Sequence, residues 1–221
     1  EGAQALLAAL PTEGLAILVG SSSDADVISE CYSTSRQFFA QAFDAKQQHG
    51  TGYGPGQAHG WMTYLEDDEG SECFESKCHY DSRFMWPGNP PGFRAAVRAA
   101  QDYLIRTSLS ALDALVAALP HILTAAQVAP LLDVRDKLAA PVDLSACSNS
   151  AMRIWSYTKG RPMGWHVDNS FLTLAPAATA VGLQIRTLDG RSAFPESQMR
   201  PNELLLFAGD ALGYLTEGRV P

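Results

Sequence analysis

The texture of the chain changes near residue 150, and that change limits what it can fold into. Before it, apolar residues recur at helical intervals. After it come short apolar runs punctuated by Gly, Pro, Asn and Asp. The longest periodic stretch covers 93–119, where Phe93, Val97, Leu104, Ala111, Leu115 and Leu119 recur near a 3.6-residue period and Pro120 stops them. A helical first part followed by short antiparallel strands predicts an α+β fold with a sandwich- or barrel-like β core.

Within the first part, Ala3 to Leu10 reads as a short helix ended by Pro11. Gly14 to Gly20 encloses a compact apolar run that reads as a buried strand. Ser23 and Asp26 stand at capping-box spacing ahead of Val27, Cys31, Thr34, Phe38 and Ala42, which predicts an amphipathic helix over about 24–48. The glycine-rich segment 50–60 lacks a leading strand and a following Gly-Lys-Ser/Thr, so it reads as a surface loop and not a phosphate cradle. Glu66 to Glu69 reads as a solvated acidic turn. Leu123 to Leu138 reads as one or two short helices broken at Pro130.

In the second part, Met152 to Tyr157 has strand character, and Trp165 to Leu174 holds a further strand and a second short run. Val181 to Leu188 alternates ahead of Asp189-Gly190, a strong hairpin signal. Glu203 to Ala208 reads as a buried strand closed by Gly209-Asp210.

A formal net charge of −8 argues against nucleic acid or an anionic membrane as partner. No apolar run reaches the length of a membrane span, and no signal-peptide pattern opens the chain, so a cytoplasmic location is expected. Cys73, Cys78 and His79 invite a zinc reading, but no second ligand pair has matching spacing. Together with Cys31 and Cys147 they read as scattered reduced thiols.

The chemistry concentrates at His166-Val167-Asp168. On a strand, side chains at i and i+2 share a face, so the imidazole and the carboxylate would converge with Val167 turned away. Two such ligands and one further His make the facial triad of non-haem Fe(II) oxygenases. The competing reading is a buried His hydrogen-bonded to Asp168, with Asp168 capping a turn. His49, His59, His79 and His121 read as surface or loop histidines, Arg153 and Arg186 as exposed strand charges, and Asp210 as the end of a strand.

Several features in order resemble the 2-oxoglutarate- and Fe(II)-dependent dioxygenase superfamily, in its isopenicillin N synthase-like branch. They are Phe38-Phe39 with Lys46, Gly52-Tyr53, Trp86-Pro87, Pro91-Gly-Phe-Arg94 and Met152-Arg-Ile-x-x-Tyr157. His166-x-Asp168, Leu172-Thr173, Gly182-Leu-Gln184, Asp189-Gly190, Gly209-Asp210 and Leu215-Thr216-x-Gly218-Arg219 follow. The resemblance implies a double-stranded β-helix (jelly-roll) core over 146–221 with a mostly helical N-terminal support region over 1–145. It implies His166 and Asp168 as metal ligands to Fe(II), and Tyr157 as a donor to the carboxylate of 2-oxoglutarate. It implies an oxidoreductase that hydroxylates or otherwise oxidises a C–H bond of a small organic substrate with O2, giving succinate and CO2. Trp61, Tyr64, His79 and Tyr80 would line the substrate pocket by analogy.

The sequence departs from that pattern in two places. Trp155 stands where relatives often have Asn, and Pro221 is reached before the distal His and the Arg-x-Ser that follows it. The chain is therefore expected to be an oxygenase cut short of its third ligand. The alternative is a catalytically inactive dioxygenase fold serving as a binding or structural module.

Overall fold

The structure is a computed structural model that describes residues 2–50, 60–63, 71–78, 86–118, 123–139, 150–157, 163–187 and 190–220. The segments 51–59, 64–70 and 79–85, with Tyr64, His79 and Tyr80, lie outside the described residues, as do His121 and Cys147. The architecture is mixed α+β, with three small antiparallel sheets among the described residues. The chain divides into two compact units, each assembled from several segments.

The first unit comprises Glu1–Ile28, Tyr103–Asp136 and His166–Pro221. Helix α1 (Gly2–Glu13) continues through Pro11, three residues beyond the expected end. It stops where Gly14 takes φ +72° and donates its N–H to the Leu10 carbonyl at 3.0 Å, a left-handed cap that suits glycine. Strand β1 (Leu15–Val19) follows as foreseen, but its role differs. Among the described residues it pairs only with β8 (Glu203–Ala208), which pairs on its other side with β5 (Leu172–Pro176). As an edge strand β1 leaves Val19 69% exposed. A continuous apolar run does not reveal whether one face or both will be covered. The central strand β8 is the buried one, with Leu204, Leu205 and Leu206 all closed off from solvent. Leu10, Leu115, Leu131 and Leu212 complete this unit's inner core.

Helix α5 (Ala125–Ala139) runs through Pro130 without a break, which corrects the expected interruption. Its start is fixed by reciprocal bonds: the Thr124 N–H donates to Gln127 Oε1 at 3.0 Å, and the Gln127 N–H donates to Thr124 Oγ1 at 3.4 Å. Buried Val128, Leu131 and Leu138 then hold the helix despite the N–H that Pro130 lacks. The hairpin of β6 (Ile185–Arg186) and β7 (Ser192–Ala193) forms where Asp189-Gly190 foretold it, with Gly190 at φ +81°. After β8 the chain enters a short helix, α6 (Asp210–Leu215), whose first residue is the Asp210 read as a strand end.

The second unit comprises Ser29–Asp102 and Lys137–Trp165. Its sheet is β2 (Gly60–Thr63), β3 (Glu72–Lys77) and β4 (Ala151–Ser156), in that order. One face packs on an aromatic cluster: Phe38, Phe74 and Phe93 are fully buried, and the Phe93 ring stands 4.9 Å from each of the other two. Trp86 joins at 5.6 Å from Phe74. Such pairs add to the area they bury. Glu72 ties the sheet to the short helix α3 (Phe43–Gln47), its Oε2 accepting from Lys46 Nζ and from Trp61 Nε1, each at 2.6 Å. Trp61, suggested for the pocket, is buried in this arrangement.

Helix α4 (Phe93–Ala118) matches its expected span, and its two ends belong to different units. Helix α2 (Ser22–Phe39) begins and ends earlier than expected, and α3 takes up the remainder. The cap is Ser21 with Asp24, not Ser23 with Asp26. The Ser21 N–H donates to Asp24 Oδ2 at 2.8 Å, and the Asp24 N–H donates back to Ser21 Oγ at 3.3 Å.

Candidate metal centre

The segment holding His166 and Asp168 belongs to no strand among the described residues, so the expected strand is corrected to a loop leading into β5. The geometry that the strand argument required is nonetheless present. His166 Nε2 lies 3.3 Å from Asp168 Oδ1, while Val167 points to solvent.

Asp168 is held through both its side chain and its carbonyl. Its Oδ2 accepts from Thr173 Oγ1 at 2.6 Å, and Thr173 Oγ1 in turn lies 2.9 Å from Ser170 Oγ. Its carbonyl accepts from the Asp210 N–H at 2.8 Å, and the Gly209 N–H donates to the Phe171 carbonyl at 3.2 Å. The Gly209-Asp210 step that ends β8 therefore clamps the loop. The fit is tight enough to demand glycine. A Cβ at 209 would sit 2.7 Å from the Asp168 carbonyl oxygen and 2.6 Å from Ser170 Oγ.

These features test whether the pair suits a metal. Two donors bound at about 2.1 Å to neighbouring positions of an octahedral ion stand about 3.0 Å apart, close to the observed spacing. The imidazole is 52% exposed and the carboxylate 32%, so the reading as a buried histidine does not apply. The Thr173 hydroxyl occupies one carboxylate oxygen and leaves Oδ1 beside the imidazole, the arrangement by which an outer partner orients a ligating carboxylate. The residues present thus fit two donor positions of a metal centre. Among the described residues, no group of three His, Cys, Asp or Glu side chains converges.

Tyr157, the third expected site residue, belongs to the other unit. It follows β4, is 55% exposed, and its ring stacks on Trp155 at 5.8 Å with planes 13° apart. Arg153, two residues before Trp155, is the exposed strand charge expected, with its side chain 54% exposed on β4, and its Nε also donates to Glu75 Oε2 at 2.7 Å, a carboxylate that is 1% exposed. Among the described residues Cys31, Cys73 and Cys78 are buried free thiols, and burial pushes Cys31 and Cys78 up to about 11 and Cys73 up to about 12.

Sequence reasoning missed Thr173, Ser170, Gly209 and Glu75. Thr173 and Gly209 stood in quoted motifs without a role. A hydroxyl five residues from a ligand becomes visible as its partner only once the loop is folded.

No protein-family model and no curated protein matches the chain. Solved structures do. A C-terminally truncated Neurospora crassa protein, solved in apo form, superposes with a TM-score of 0.72 at 18% identity, over 99% of this chain and 78% of that one. A 2OG-Fe(II) oxygenase family protein from Caulobacter crescentus gives 0.70 at 22% identity, over 100% and 72%. JOX2, solved with 2OG, Fe and JA, gives 0.72 at 18% identity, over 99% and 64%. The chain therefore has the fold of these structures, one of them a 2OG-Fe(II) oxygenase family protein and another solved with 2OG and Fe.

Proposed function

We propose that the protein is an Fe(II)- and 2-oxoglutarate-dependent oxidoreductase that oxidises a C–H bond of a small organic substrate. The observation that carries this reading is the convergence of His166 Nε2 and Asp168 Oδ1 at 3.3 Å, beside the clamp of Thr173 and Gly209. The structural likeness to JOX2, solved with Fe and 2OG, supports it.

In this reading residues 1–145 form the helical support and 146–221 the jelly-roll core. His166 and Asp168 hold the iron, and the Tyr157 hydroxyl donates to a carboxylate of 2-oxoglutarate. When bound, iron would activate O2, the oxidant, with 2-oxoglutarate supplying two electrons as it is converted to succinate and CO2. The chain's own contribution is orientation. Thr173 fixes the carboxylate rotamer, the Asp210 N–H and Gly209 hold the loop in register, and the exposed edge of the imidazole faces outward for ligation. The protein is read as cytoplasmic, with a small molecule and O2 as its partners. No helix among the described residues is long and apolar enough to cross a membrane.

The second reading, an inactive fold used as a binding module, is favoured by one observation: the described residues hold two converging donors and no third. One assay separates the two. The full-length protein, given Fe(II), O2 and 2-oxoglutarate, should form succinate, and His166→Ala should abolish it. Equal succinate formation by the variant would overturn the oxygenase reading.

A further inference from the structure

Helix α6 meets the candidate metal centre at one end and is tied down at the other, and every residue involved belongs to the first unit. At its N-terminal end the Asp210 N–H donates to the Asp168 carbonyl at 2.8 Å. Its six residues make less than two turns, too few to hold a helix by its own hydrogen bonds. The turn that follows stiffens it. Thr216 is fully buried, and its hydroxyl donates to the Leu212 carbonyl at 2.8 Å and accepts from the Val220 N–H at 3.0 Å. The Gly218 N–H closes onto the Gly213 carbonyl at 2.8 Å. Residues 210–220 therefore form one stiff body, and where that body sits decides where the Asp210 N–H points.

The far end of that body is held by Gln127, near the start of α5. The Gln127 side chain is divided between two tasks. Its Oε1 accepts from the Thr124 N–H and from the Thr124 hydroxyl, each at 3.0 Å, which completes the cap of α5. Its Nε2 donates to the Leu215 carbonyl at 3.3 Å and to Glu217 Oε1 at 3.1 Å. The cap alone would be served as well by Glu. Glutamate has no N–H to give, and its charge would stand against that of Glu217. Glutamine is thus the residue type that the second task requires. Glu217 makes this contact at φ +54°, a left-handed conformation that side chains other than glycine rarely adopt.

We infer that Gln127 is a positioning residue for the His166–Asp168 loop. By latching the far end of α6 it fixes the Asp210 N–H that carries the Asp168 carbonyl. Its service to a bound metal rests on the oxygenase reading; the latch itself does not.

Gln127→Glu keeps the cap and breaks the latch. In hydrogen exchange of the metal-free protein, the Asp210 amide should exchange about tenfold faster in this variant, as loss of one or two modest hydrogen bonds implies, with the α5 amides unchanged. The swap Gln127→Glu/Glu217→Gln moves the donor to the other side chain and should restore most of the protection. Co(II) titration of the same proteins should follow suit, with affinity about tenfold lower and a shifted d–d band in Gln127→Glu, and both recovered in the swap. If Gln127→Glu fails to fold, Glu217→Gly takes its place. Glycine suits φ +54°, so the turn keeps its shape while the latch loses an acceptor, and Asp210 exchange should rise severalfold. Unchanged Asp210 exchange in the folded variant, or exchange raised equally throughout α5, would overturn the inference and leave Gln127 as a helix cap. So would a swap that recovers nothing, or Co(II) affinity unmoved while Asp210 exchange rises. A wild-type protein that binds no Co(II) would sink the oxygenase reading and leave the exchange result standing.

Discussion

Thr173 and Gly209 show how single residues set the candidate centre. Thr173→Val removes the hydroxyl that holds Asp168 Oδ2 and keeps a β-branched side chain on the strand. Metal affinity should fall by about tenfold to a hundredfold, as for other outer partners of metal ligands. A Co(II) titration followed by absorbance checks this, and an unchanged affinity would remove Thr173 from the account. Gly209→Ala acts on the backbone. Its new Cβ meets main-chain oxygen, so the loop must shift at a cost of about 1–3 kcal/mol in denaturant unfolding. His166 and Asp168 were legible in the sequence because an i, i+2 pair needs only extended backbone to converge. Their supports were not legible, since the clamp joins residues about forty positions apart through carbonyls and hydroxyls that leave no pattern.

Elements were legible where periodicity and caps agreed. Helix α4 has both its apolar repeat and its proline stop. Strands β2 and β3 were overlooked. Glu72 to Lys77 buries Glu75 and Ser76 as fully as Cys73 and Phe74 because each polar group finds a partner, Glu75 in Arg153 and Ser76 in Gln101. A strand buried on both faces with polar members shows no hydropathy alternation. Helix α2 offers a direct test at this scale. Ser21→Ala removes half of the Ser21–Asp24 box and should cost about 1 kcal/mol in unfolding free energy. The hydrogen bonds from the Ser21 hydroxyl and amide hold the Asp24 carboxyl below its ordinary range. A carboxylate depressed in the folded state stabilises above its unfolded pKa and loses that contribution as pH falls through the folded one. Asp24→Asn should therefore flatten the acid limb of stability below about pH 4. An acid limb identical to that of the wild type would contradict this role.

For the molecule as a whole, the two units draw on different cores, leucines in one and aromatic rings in the other. Phe74→Ala should cost about 3–5 kcal/mol by denaturant unfolding, because it leaves a hole among Phe38, Phe93 and Trp86. A cost under about 1 kcal/mol would mean that the cluster does not hold its sheet. The α+β class was legible from the change of texture near residue 150. The pairing of β1 with β8 was not, because nothing local links residues 15–19 to residues 203–207. The central claim is that His166 and Asp168 bind one iron between them. Anaerobic equilibrium binding of Fe(II) tests it most directly, with the wild-type protein beside His166→Ala and Asp168→Ala. The account predicts one equivalent bound by the wild type and its loss in each single variant. One equivalent retained by both variants would contradict it.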